Sequence, residues 1–285
     1  MISRNKGILS LEFLVPNIGL VFAIVAVHWF YAAVVTPRAT NWLIERDVKA
    51  AHSENGPKEI EDRPYYVVIK DREPKWEVIF CCWGMIVLGY KFIQLNKERR
   101  LLKHDFIRVQ PGERIIPEDA LDRYKELKAV VDREPKWRER LLPECLLAAL
   151  YRFHATNSVQ EAANAIKERA ELTGDQLDSS LSLVRYIAWA IPAIGFIGTV
   201  RGIGDALSFA EQAIHGDVSA VTKNLGIAFN STFVGLMLCI VLMYVLHIVQ
   251  SQQEAFIIET QRFCRDKLVE VMKVPTKDET AGSFA

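Results

Sequence analysis

The chain has 285 residues, half of them hydrophobic, and 35 Lys plus Arg against 35 Asp plus Glu leave a formal charge of zero. Ample apolar and aromatic content excludes wholesale disorder, and the absence of a basic excess argues against a nucleic-acid binder. The neutrality is an average, because charges and apolar residues occupy different parts of the chain.

Arg4 and Lys6 precede an apolar run over 14–35 that carries no acidic or basic residue. As a helix it is long enough to cross a hydrocarbon core of about 30 Å. It is too long for a secretory h-region and no small-residue cleavage site follows, so residues 1–36 are expected to hold a retained first span with a cytoplasmic N-terminus. Residues 37–76 then form an outer loop. A second span is expected over 77–95, with its single cation, Lys91, close enough to the end to snorkel, and with Lys97, Arg99, Arg100 and Lys103 just inside. In a three-span alternative 77–95 does not cross, which places the basic N-terminus outside.

Residues 96–185 read as a helical cytoplasmic domain. Pro117-Glu118-Asp119 is a helix start, with proline in the first turn and acids at the positive end of the dipole. A second helix is expected from about Leu141 to His154, with breaks at Pro135 and around Pro143, and Ser158 opens a capping box with Glu161. From there Gly174 is the breaker before the third span, 186–207. If Gly174 is tolerated, a single helix of roughly 75 Å follows at about 1.5 Å per residue. A short outer turn at 208–224 leads to a fourth span, 225–249. Residues 250–285 continue inward as a helix with apolar positions Phe256, Phe263, Leu268 and Val271, ended by Pro275. The expected fold is an all-α membrane protein with four transmembrane helices, long helices extending into the cytoplasm and a helical cytoplasmic domain.

The five cysteines, Cys81, Cys82, Cys145, Cys239 and Cys264, all fall in spans or inside in this topology, so no disulfide is expected, and their spacing suggests no metal site. There is no Gly-rich phosphate loop, HExxH or GxSxG, so neither an enzyme nor a cofactor is expected. His28 and His247 fall in spans and read as interface contacts rather than a proton relay. The hexapeptide Asp-Arg-Glu-Pro-Lys-Trp occurs at 71–76 and again at 132–137 without a regular period; Trp76 suits an interfacial anchor.

Two spans carry small, weakly polar faces. Pro192, Gly195 and Thr199 share one face of the third, beside a GxxxG of Gly198 and Gly202; Ala228, Thr232, Gly235 and Cys239 share one face of the fourth, flanked by Asn230 and Ser231. Such stripes either line a hydrated conduit or pack helices within one subunit, with threonines bonding back to their own helix. Spacing leaves both readings open. Arg201 and Asp205, four apart, can meet on one helix face at the outer entrance.

The stretch Ala190-Ile-Pro-Ala-Ile-Gly-Phe-Ile-Gly-Thr-Val-Arg-Gly-Ile, followed by Gly226-Ile-Ala-Phe-Asn-Ser-Thr-Phe-Val-Gly-Leu, resembles the MotA/TolQ/ExbB proton channel family. The resemblance covers roughly 158–272. It implies a homopentamer in the bacterial inner membrane whose last two spans enclose a dimer of a single-span ExbD/TolR/MotB-like partner, with the titrating Asp on the partner. By position it makes Thr199 and Thr232, with Ser231 and Asn230, the ion pathway, and Pro192 the bend in the first pore helix. It departs from the family at Ile227, where ExbB and TolQ relatives place a Glu, in lacking a later proline in the last span, and at Arg201. With no buried Asp or Glu expected in mid-membrane, the chain by itself has no carboxylate to relay protons. The function so implied is an ion-motive-force-driven motor or stator subunit using protons or sodium. The alternative is a non-conducting scaffold or receptor that recruits partners through its cytoplasmic helices.

Overall fold

The computed structural model describes residues 11–52, 64–104, 106–107 and 113–274, so Arg4, Lys6 and Pro275 lie outside the described residues. In chain order it contains α1 (Leu11–Phe30), a π-helical turn (Tyr31–Val35), α2 (Thr36–His52), α3 (Tyr65–Val68), α4 (Arg72–Leu101), α5 (Pro117–Arg133) and α6 (Leu141–Thr156). There follow α7 (Val159–Ser179), α8 (Ser182–Leu207), α9 (Ala210–Ile214), α10 (Ser219–Lys267) and a closing 3-10 turn (Val269–Val271). Among the described residues strand pairing is limited to one isolated bridge, Ile115 with Met272. The protein is an all-α, multi-pass membrane protein. Among the described residues four helical stretches, within Leu14–Arg46, Arg72–Leu101, Val159–Leu207 and Ser219–Val271, are long and apolar enough to cross a bilayer.

Local chemistry explains where these helices start and stop. The second apolar helix begins at Arg72, not at 77, because Glu73 and Pro74 occupy its first turn, where an acid meets the dipole and proline lacks only an N–H that has no helical partner. Gly174 sits inside α7, and the interruption comes instead at Ser180–Leu181. There the Ser180 hydroxyl donates to the Leu177 carbonyl at 2.7 Å and competes with the helical bond. Ser158 caps α7 by accepting from the Glu161 N–H at 3.3 Å. Pro143 is accommodated in the first turn of α6, which ends at Asn157 with φ of 49°, a left-handed cap that asparagine tolerates. Before α10, the hydroxyl and N–H of Ser219 both donate to Asp217 and hold its carboxyl below the usual carboxylate range.

The two hexapeptide copies adopt opposite roles. At 71–76 the sequence starts α4; at 132–137 it ends α5, with Glu134 extended ahead of Pro135 and Trp137 packed on His104 and Phe106. The residue before a proline is driven out of helical geometry in the second copy. In the first, Glu73 is tolerated in the helix beside Pro74.

The described residues fall into two compact units, one of residues up to Tyr90 with Ser182–His247, the other of Lys91–Leu181 with residues from Ile248 onward. In the first unit Ala23, Val27, Tyr31 and Val35 pack with Ile79 of α4. The Trp83 indole N–H donates to the Pro16 carbonyl at 2.8 Å. Trp29, Trp189, Phe196, Phe229 and Phe233 of this unit are each at least 60% exposed, an apolar exterior that water would penalise and lipid does not. The second unit has a conventional core of Leu142, Leu146, Leu150 and Phe153 from α6 with Leu127, Ile166, Phe256 and Leu268. Arg140 pairs with Glu98, and Arg99 with Glu259 and Gln252 at its edge.

Candidate functional site

The first unit brings α8 and α10 close enough for backbone to meet side chain. A Cβ on Gly202 would lie 2.7 Å from the Ala228 Cβ, one on Gly195 would lie 3.1 Å from the Thr232 Cα, and one on Gly198 would strike the Ser231 hydroxyl. Glycine is required at these positions by close approach, not by backbone torsion.

Pro192 lies inside α8 and has no N–H to give the carbonyl of Ala188, four residues earlier. That carbonyl is taken up by the Cys239 thiol of α10 at 3.2 Å. A double-mutant cycle follows. C239A is expected to cost about 0.5–1 kcal/mol in the native background, where it strips a buried acceptor of its donor. In P192A the restored N–H serves Ala188, so the same change is expected to cost nearly nothing; equal costs in both backgrounds, measured by denaturant midpoint in detergent, exclude the coupling.

Two turns beyond, two hydroxyls join the helices. Thr199 Oγ1 lies 3.2 Å from the Gly195 carbonyl and 3.1 Å from the Ala228 carbonyl, and is hydrogen-bonded to Thr232 Oγ1, itself 3.1 Å from the Gly195 carbonyl. Back-bonding to the same helix and pairing across helices therefore coexist. Asn230 is half-buried on α10 and stays outside this group, while Ser231 is buried and turned toward α4.

Two expectations are corrected here. Arg201 does not meet Asp205: its guanidinium donates to Glu73 of α4 at 2.8 Å, and Asp205 is exposed. A buried carboxylate on a neighbouring helix offers a desolvated, charge-assisted partner that an exposed one four residues along does not. Nor are the spans free of buried acids. Glu73 is 6% exposed and Glu77 fully buried, both on α4. Glu77 Oε1 lies 3.5 Å from the Ser231 hydroxyl. Gly195 and Gly235 make its room, since a Cβ on either would come within 3.0 and 3.2 Å of that oxygen.

The signal for these acids was present. Glu73, Glu77, Cys81, Gly84 and Leu88 are spaced along one helix face, and all five are buried. At the mouth of the site burial pushes the Asp71 carboxyl above its ordinary range, against the pull of Lys70, Arg201 and Lys223. No group of His, Cys, Asp and Glu among the described residues is placed to hold a metal ion.

Neither a curated protein nor a solved structure matches the chain. Residues 138–262, which include α6 through most of α10 and with them Pro192, Thr199 and Thr232, match the MotA/TolQ/ExbB proton channel family, the family that the two sequence motifs resemble.

Proposed function

We propose that the chain is the channel-wall subunit of an ion-motive-force-driven motor. The observation that carries this reading is the Thr199–Thr232 pair, which puts hydroxyls between two apolar helices, at positions to which the motif resemblance gives the role of pore threonines, inside the matched stretch. In this reading the N- and C-termini are cytoplasmic, the membrane is the bacterial inner membrane, and five copies surround the single spans of two ExbD/TolR/MotB-like partner chains. An ion, proton or sodium, enters at the Arg201 and Asp205 end, neutralises the partner's Asp against the Thr199/Thr232 level, and leaves inward past Pro192.

Each neutralisation removes the attraction between the partner's Asp and the hydroxyls facing it and allows the wall to shift relative to the partner. One charge crossing about 100 mV is worth about 2.3 kcal/mol, enough to bias a small step tens-fold. Work is therefore delivered in many small displacements, and residues 96–185 with the C-terminal helix transmit it on the cytoplasmic side.

The test is assembly. Co-expressed with a single-span, Asp-bearing membrane protein, the chain is expected to give a native mass of five copies plus two of the partner. The complex in liposomes is expected to dissipate a pH or sodium gradient. A lone oligomer that conducts nothing and instead retains a soluble partner through 96–185 supports the scaffold reading and overturns the motor.

A further inference from the structure

Among the described residues three buried side-chain atoms have no hydrogen-bond partner: Glu77 Oε2, Arg201 Nε and the Tyr31 hydroxyl. All three belong to the first unit, and they are not scattered within it. Tyr31, in the π-helical turn, is within electrostatic reach of Glu77, and Arg201 bonds Glu73, which stands one helical turn before Glu77. One acceptor, one cationic donor and one neutral hydroxyl are thus left unsatisfied around a pair of acids.

Charge counting gives this cluster a meaning. The groups facing Glu77 are Glu73 on its own helix, Ser231 on α10, Tyr31 on the π turn, and Arg201 on α8 through Glu73. Lys75 is turned over the Tyr31 ring at 5.5 Å, and at the mouth Asp71 is within electrostatic reach of Lys70, Glu73, Arg201 and Lys223. Glu73 holds two guanidinium partners, Arg201 at 2.8 Å and the exposed Arg72 at 3.4 Å, while Glu77 has no cation of its own among the described residues. An ionised Glu77 would be a carboxylate away from water with no cation bonded to it, which is strongly disfavoured. With Glu73 bonded to Arg201 and Arg72 and Glu77 in no ion pair among the described residues, the proton belongs on Glu77.

We propose that Glu77 is a proton-binding site carried by each copy of the chain, separate from any carboxylate a partner supplies. Its proton makes Glu77 a neutral wedge between Gly195 and Gly235. When the proton leaves, the carboxylate competes with Glu73 for Arg201 and its unused Nε, so loading and unloading change which acid the α8 guanidinium holds. The α4 helix is thereby coupled by charge to the two helices that carry the threonines. The inference concerns the chain's own residues and does not rest on the motor reading.

The test is the infrared carbonyl stretch of protonated carboxyls, read on the purified full-length chain near neutral pH in a detergent without ester groups. The wild type is expected to show one such carboxyl in an apolar setting, shifted in heavy water and lost as pH rises. E77Q, which keeps the shape of the protonated acid, is expected to show none. The double variant R72Q/R201Q, which removes both cations that Glu73 holds, is expected to double the band, because Glu73 then takes a proton as well. A wild-type spectrum without the band, or a band that survives in E77Q, overturns the proposal. Should E77Q not fold, R72Q/R201Q decides alone, since an unchanged band there is incompatible with the charge count. A chain that conducts ions without the band loses this inference and keeps the motor; one with the band that conducts nothing does the reverse.

Discussion

Replacing Thr199 and Thr232 together with valine is expected to reduce ion flux in the reconstituted complex to that of protein-free liposomes, while the chain still folds and assembles. Valine matches the volume of threonine but has no hydroxyl, so the exchange removes the oxygens and leaves the packing nearly unchanged. The carbonyls of Gly195 and Ala228 lose a side-chain donor but keep their helical N–H partners, so neither is orphaned. Each lost hydrogen bond then costs about 0.5–1.5 kcal/mol of stability. The effect on conduction is larger, because an ion at this level would face only apolar surface, and desolvating a charge without a polar partner is far more costly than losing one neutral hydrogen bond. T199V alone leaves the Thr232 hydroxyl on the Gly195 carbonyl and is expected to keep part of the flux. Flux in the double variant equal to wild type removes these threonines from the ion route. Loss of flux together with loss of the assembled mass shows that the hydroxyls hold the helices together rather than serve the ion.

The contrast between these threonines and Glu77 shows what a sequence displays. Thr199, Thr232 and the glycines stand at helical spacing inside apolar runs, so their shared faces can be read without knowing what packs on them. Helix starts were equally legible wherever proline and acids occupy the first turn, as at Pro117. The same signal at Glu73-Pro74 begins α4, yet a span defined by its uncharged stretch excludes that turn by construction. Glu73 therefore falls in the expected outer loop and Glu77 at the very edge of the expected span, so no carboxylate is expected in mid-membrane. What the sequence could not reveal was the third helix. Arg201 has Asp205 at the favourable spacing on its own helix and takes Glu73 from another, because burial and charge compensation between helices outweigh a local pair worth only about 0.2–0.5 kcal/mol. Likewise Gly174 looked like the breaker, but one glycine costs a long helix only about 1 kcal/mol, and the two-residue interruption falls at Ser180–Leu181.

The close approach of α8 and α10 yields the second large effect, and it separates packing from conduction. A Cβ at Gly202 would sit 2.7 Å from the Ala228 Cβ and 3.1 Å from its Cα. The obstacle is backbone, which cannot rotate away as a long side chain would, so Gly202→Val must push the helices apart. Overpacking of this kind costs about 1–3 kcal/mol, and separation also breaks the Thr199–Thr232 and Cys239–Ala188 contacts that span the same interface. G202V is therefore expected to lie at or above the upper end of that range, read as a lowered denaturation midpoint in detergent, and to conduct nothing. Gly204, two residues on, is the internal control, since a Cβ there meets nothing within 4 Å. G204A is expected to be neutral or to stabilise by up to about 1 kcal/mol through helix propensity. The two variants differ in position by half a helical turn. If they destabilise equally, the cost is generic to glycine loss and the α8–α10 seam is not what fixes the threonines; if only G202V does, the seam is the element on which both the hydroxyl pair and the Glu77 pocket depend.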